Sequence, residues 1–196
     1  GSSFPLLIES ALRRKSITRY CNELVARDYA QFEALLPSSG IDRVTDIGSG
    51  YGLIDVFFHR RYGCNLQLVD IESSQERDHN FAARGAGYCS LDTARRFLRD
   101  NGVPDARIVT SNPDTAPLPE QASDLVVSLL SLAFHYPFDT YRNYIASNLR
   151  RGGTLLIDVR RGAQQDLSLL ECFDRRVIVK ETAKYDRLML SGFHKP

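Results

Sequence analysis

The stretch Val44-Thr45-Asp46-Ile47-Gly48-Ser49-Gly50-Tyr51-Gly52-Leu53 decides how the rest of this chain is read. Arg43 to Ile47 has the β-branched, apolar character of a buried strand, and Leu53 to Arg61 reads as a helix. Between them, glycines at alternate positions let the backbone turn tightly and let a ligand approach without interference from Cβ atoms. The helix start behind them offers free amides. A turn without a ligand has little need of three spaced glycines, because their flexibility costs stability.

Outward from this loop the chain alternates short apolar runs with helical stretches. Leu66 to Val69, Arg107 to Thr110, Leu125 to Leu130 and Thr154 to Val159 read as strands, and Leu91 to Asn101 and Asp139 to Leu149 as helices. The second of these helices is expected to close on Arg151-Gly152-Gly153, where glycine permits a left-handed cap. Leu167 to Phe173 is expected as a short helix. Arg175 to Lys180 and Arg187 to Leu190 have no helix between them, so they are expected to form an antiparallel hairpin at one edge. The first forty residues carry apolar side chains at helical spacing and read as two helices broken near Ser16, the second stopped by Pro37-Ser38-Ser39-Gly40. Alternating strands and helices with near-continuous apolar strands indicate an α/β domain whose mostly parallel sheet is covered on both faces. The expected division is residues 1–40 as helices over the active site and 41–196 as the core.

The chain has 196 residues, 25 Lys+Arg and 24 Asp+Glu, for a net charge of +1. No overall field draws it to a phosphate backbone or an anionic bilayer, which argues against a nucleic-acid or membrane-surface role. Its longest apolar runs fall far short of the roughly 20 residues that span a bilayer, and no signal-peptide pattern opens it, so a cytoplasmic protein is expected. Cys21, Cys64, Cys89 and Cys172 form no C-x-x-C pair, and the 4 histidines are equally dispersed. No metal site is expected.

A dinucleotide fingerprint G-x-G-x-x-G would need glycine where Leu53 stands. With Asp46 ahead of glycines 48, 50 and 52, the loop instead resembles the first motif of the class I S-adenosylmethionine-dependent methyltransferases. Three further stretches carry the same resemblance in order: Gln67-Leu68-Val69-Asp70, then Asp114-Thr115-Ala116-Pro117-Leu118-Pro119 with Ser123-Asp124-Leu125-Val126-Val127, and Arg150-Arg151-Gly152-Gly153-Thr154-Leu155-Leu156-Ile157. The resemblance runs from about Asp42 to Val159. It implies a Rossmann-like seven-stranded sheet of order 3-2-1-4-5-7-6, with S-adenosyl-L-methionine as cofactor and S-adenosyl-L-homocysteine as product. It also implies that Asp46, Gly48, Ser49 and Gly50 hold the cofactor's amino-acid and ribose portions and that Ile71 offers its adenine an apolar face. Asp70 would accept the ribose hydroxyls; a turn or helix-cap role is the plainer alternative. Asp114 would accept from the adenine amino group, with Asn112 or Thr115 as alternatives because Ser123 replaces the family's usual aromatic. Ser128 either touches the methionine part or is a buried strand serine.

In this fold the end of the fourth strand faces the transferable methyl group, and here it reads Ser128-Leu129-Leu130-Ser131-Leu132-Ala133-Phe134-His135-Tyr136-Pro137. His135 is the candidate general base, because imidazole titrates near neutral pH; packing against the next helix is the competing role. Phe134 and Tyr136 would shape the acceptor pocket. Asp158 and Arg160 either orient the acceptor or form a surface ion pair, the second being favoured. Ile71 to Ser90, roughly twenty polar and small residues including His79, Asn80, Phe81 and Tyr88, is longer than a compact connection needs and reads as a lid, an acceptor pocket or filler. Tyr88 is the substrate contact chosen from it. Arg13 to Lys15 reads as a solvated helix face, and Arg19 and Tyr20 as groups within reach of the cofactor carboxylate. The D/N-P-P-Y/F motif of amino-group methyltransferases is absent after the fourth strand. The expected activity is O-methylation of a small hydroxylated metabolite, with N-methylation of a small amine or a non-catalytic cofactor-binding subunit as alternatives. A small-molecule acceptor is the expected partner, a homodimer is compatible, and no length remains for a separate recognition domain.

Overall fold

A computed structural model describes residues 20–72, 81 and 89–195. Arg19, His79, Asn80, Tyr88, the run Arg13 to Lys15 and the first expected helix lie outside them. Helical residues 20–32 (α1) tighten into a short 3-10 turn, Glu33–Leu35, before Pro37. β1 (Arg43–Ile47), α2 (Asp55–Tyr62), β2 (Asn65–Val69), α3 (Leu91–Asp100), β3 (Ile108–Ser111) and β4 (Ser123–Ser128) follow the alternation read from the sequence. Ser90 caps α3 by accepting the Thr93 amide at 3.4 Å. Beyond β4 come β5 (Ser131–Tyr136), α4 (Asp139–Asn148), β6 (Leu149–Arg160), a 3-10 turn (Ser168–Cys172), β7 (Phe173–Glu181) and β8 (Tyr185–Phe193).

The sheet has 7 strands in the order β3-β2-β1-β4-β6-β8-β7. With β5 left aside and the rest renumbered, this is the expected 3-2-1-4-5-7-6. β1 to β4 and β6 run parallel, while β8 inserts antiparallel between β6 and β7. Strand alternation sends Val44, Leu66, Leu68, Leu125, Val127 and Leu156 to one face, where α1, α2 and α3 pack. Val126, Leu155, Ile157, Leu188 and Leu190 go to the other, under α4. Tyr29 and Phe32 of α1 are full members of the first core, with the Tyr29 ring stacked on Phe57 at 5.0 Å. On the α4 side the buried polar groups are paired side to side: the Thr45 and Ser123 hydroxyls at 2.6 Å, and Gln67 Nε2 donating to the half-buried Tyr144 hydroxyl at 2.9 Å.

Two sequence expectations are corrected. The apolar run after Leu125 does not continue as one strand: the sheet strand stops at Ser128, the chain turns at Leu129–Leu130, and a separate strand begins at Ser131. Gly152 caps no helix. α4 ends at Asn148, and Gly152, with φ +79°, sits inside β6 where Ser123↔Leu149 gives way to Leu125↔Thr154 in the pairing with β4, a bulge.

Candidate active site

The strand order reverses at β1, which has β2 on one side and β4 on the other. In open α/β sheets, ligands bind in the crevice outside the carboxyl ends of the strands at such a point. Two groups of residues meet there.

The first is the glycine loop. Its backbone is tied to β2 by the Gly48 amide, which donates to the Val69 carbonyl at 2.7 Å, and the Gly50 amide donates to Asp70 Oδ2 at 2.7 Å. Gly48 has φ +75°, and a Cβ there would lie 1.7 Å from Ser131 Oγ, so the chain's own hydroxyl fills that space. Gly50, at φ +56°, has nothing among the described residues within 4 Å of where its Cβ would stand and leaves a cradle open among them. The Cys89 thiol donates to the Gly50 carbonyl at 3.0 Å, and burial pushes that thiol up to about 12, so it stays protonated. Burial raises the Asp70 carboxyl, against the pull of the Gly50 amide. Ile71 follows, half-buried. The Asp70 amide donates to Ser111 at 3.2 Å, which brings the next turn alongside; there Asp114 is exposed and its amide donates to Asn112 Oδ1 at 3.0 Å. Ser49 Oγ is buried with no hydrogen-bond partner among the described residues. Asp46 points inward: it is buried beside Asp55, whose two carboxyl oxygens are buried without a conventional partner. Burial first, and the neighbouring carboxyl second, raise Asp46 well above the carboxylate range; burial pushes Asp55 up to about 7.

The second group follows β4. Ser128 Oγ donates to the Ile47 carbonyl at 2.7 Å and accepts the Leu132 amide at 2.9 Å, bracing the end of β1. Ser131 Oγ and the Tyr136 hydroxyl lie 3.0 Å apart beside Gly48. Burial pushes the Tyr136 phenol upward, so it remains a neutral donor. Phe134 packs edge-on against His135 at 4.7 Å and Tyr185 at 5.5 Å, and the Arg160 guanidinium lies over its ring at 5.5 Å. His135 and Arg160 are half-buried.

The expected Asp158–Arg160 surface pair does not form. Asp158 is fully buried and takes two hydrogen bonds from Arg187, Nε at 2.7 Å and Nη2 at 2.9 Å. Cys89, Ser131 and Arg187 are site neighbours to which sequence reasoning gave no role, and Asp158 was read with the wrong partner.

No protein-family model matches the chain, and no curated protein matches it by sequence. Solved structures do match by fold. An RNA methyltransferase from Salinibacter ruber, solved with S-adenosyl-L-homocysteine, has TM-score 0.56 and 17% identity over 89% of this chain and 93% of its own. An O-methyltransferase region of StiE has TM-score 0.62 and 15% identity over 97% and 81%. Geranyl diphosphate methyltransferase, solved with its substrate and sinefungin, has TM-score 0.50 and 18% identity over 68% of this chain but only 44% of its own length. The fold of this chain is therefore that of the class I S-adenosylmethionine-dependent methyltransferases.

Proposed function

We propose that this chain binds S-adenosyl-L-methionine and transfers its methyl group to an oxygen of a small hydroxylated metabolite. The observation that carries the reading is the Asp70–Gly50 link of 2.7 Å at the sheet's reversal point, which sets a carboxylate at the lip of an open glycine cradle. An adenosyl group fits these residues: Asp70 can accept a ribose diol, Ile71 lies beside it, and the Asp114 turn is adjacent. Ser49 and Gly50 line the approach for the methionine portion, with Gly48 and Asp46 supporting the loop and Ser128, fully buried with its hydroxyl engaged by Ile47 and Leu132, bracing β1 behind it. The cofactor supplies an electrophilic methyl on a sulfonium whose departing thioether is neutral, so positioning of the acceptor contributes most of the rate.

The residues after β4 do the rest. His135 takes the proton that a hydroxyl must lose as it attacks. Phe134 gives an apolar wall, Tyr136 a hydroxyl donor, and Arg160 a cation at the same edge of a cytoplasmic enzyme; Tyr88, outside the described residues, is proposed as a further acceptor contact. A net charge of +1 supports a small acceptor over a polyanion.

The test is transfer of a labelled methyl group from S-adenosyl-L-methionine to a library of hydroxylated and amine metabolites. Labelled ethers support the reading and labelled amines replace it with N-methylation. Cofactor binding with no product from any pool would favour a non-catalytic subunit. His135→Ala is expected to slow transfer by about 10² with cofactor affinity kept.

A further inference from the structure

Two residues other than glycine have left-handed backbones among the described residues: Leu130 at φ +51° in the turn that follows β4, and Ala133 at φ +63° within β5. Each costs roughly 1–2 kcal/mol and persists only where the surroundings enforce it. The enforcing groups come from outside this stretch. The Leu130 amide donates to Asp158 Oδ2 at 3.1 Å, the Ala133 carbonyl accepts Gln165 Nε2 at 3.0 Å, and the Phe134 carbonyl accepts Arg160 Nη1 at 3.4 Å. Asp158 in turn is fixed by the bidentate guanidinium of Arg187, and both side chains are completely buried. Arg187 Nη1 lies 3.4 Å from Asp28 on α1, whose same oxygen also meets Lys180 at 3.5 Å.

A buried ion pair is an inefficient way to gain stability, since apolar residues of similar volume often do as well. This one spends a carboxylate oxygen on a strained amide. Leu130 itself is 44% exposed, so the strain is not repaid by burying its side chain.

We propose that Asp158 and Arg187 are positioning residues: through the Leu130 amide they hold the β4–β5 connection in its strained form and so set where Ser131 to Tyr136 stand against the glycine loop. The inference rests on the methyl-transfer reading for its functional meaning, and the geometry it concerns can be tested without any ligand.

The experiment measures amide hydrogen exchange and unfolding for Asp158→Asn, Leu130→Gly, their combination, and the apolar pair Asp158→Leu/Arg187→Met. In Asp158→Asn the Leu130 amide is expected to lose protection selectively, by tenfold or more relative to Val126 and Val127 (on the order of the 1.4 kcal/mol set by one weakened hydrogen bond). Leu130→Gly relieves the strain only where Leu130 is still held, so its effect on the folding equilibrium should differ about fivefold or more between the two backgrounds. The apolar pair should fold and still lose Leu130 protection. In the transfer assay Asp158→Asn is expected to lower turnover by about 10² while S-adenosyl-L-homocysteine affinity is retained, as for a misplaced acceptor site. Unchanged Leu130 protection in either Asp158 variant, or equal effects of Leu130→Gly in both backgrounds, would overturn the proposal. Failure of the unsubstituted chain to bind S-adenosyl-L-homocysteine would instead overturn the methyl-transfer reading and leave the exchange and coupling results to decide this one.

Discussion

The two lips of the crevice are built in opposite ways. On the β1–β2 side the positive φ angles fall on glycines, which take them without strain, and Asp70 immediately after β2 holds the Gly50 amide. On the β4–β6 side, ordinary residues are forced into left-handed conformations by side chains from β6, β8 and the segment after β6. Glycine adopts a left-handed backbone on its own; a strained non-glycine keeps one only while the groups that enforce it remain. The contact of Ser131 with Gly48 is where the two lips touch.

Substitutions at that contact should have the largest effect. Gly48→Ala would place a Cβ 1.7 Å from Ser131 Oγ at φ +75°, and is expected to cost about 2–5 kcal/mol in denaturant unfolding, strain and overpacking together. Gly50→Ala meets nothing within 4 Å among the described residues, so only the backbone cost of about 1–2 kcal/mol should appear. Equal costs at the two positions would erase the distinction between a filled and an open glycine. Asp70→Ala is expected to weaken S-adenosyl-L-homocysteine binding by roughly 10- to 100-fold in calorimetry, as for loss of hydrogen bonds to a charged acceptor, with smaller changes in unfolding.

How far each lip was legible follows from the same contrast. β1 was read with its observed bounds because an apolar β-branched run ends on glycine, and Asp70 was singled out because it ends the second strand, where its carboxylate accepts the Gly50 amide. The turn at Leu130 was invisible: Ser128-Leu129-Leu130-Ser131-Leu132-Ala133 continues an apolar pattern, and what breaks it is a carboxylate on β6. Arg160 was the nearest cation to Asp158 in sequence, whereas the real partner, Arg187, is reached only once β8 inserts beside β6. Arg151-Gly152-Gly153 has the composition of a helix cap, and only the pairing of β4 with β6 reveals a bulge.

The buried carboxyls beneath the first lip give a pH-dependent prediction. Asp55 is raised by burial to about 7, above its unfolded value, so its contribution to stability is full below about pH 4 and is lost as the pH rises through 7. Asp55→Asn should therefore raise the thermal midpoint relative to the parent at pH 8 and have less effect at pH 5. A difference that does not vary with pH would contradict the raised Asp55 carboxyl. The smallest expected effect is that of Tyr136→Phe, which removes the 3.0 Å bond to Ser131 at a cost of about 1 kcal/mol in unfolding.

The central claim concerns what the glycine cradle and Asp70 hold, and calorimetric titration of the chain with S-adenosyl-L-homocysteine and with NAD in parallel tests it most directly. The account predicts heat and saturation with S-adenosyl-L-homocysteine, weakened by Asp70→Ala, and none with NAD. Saturable binding of NAD with no response to S-adenosyl-L-homocysteine would contradict it.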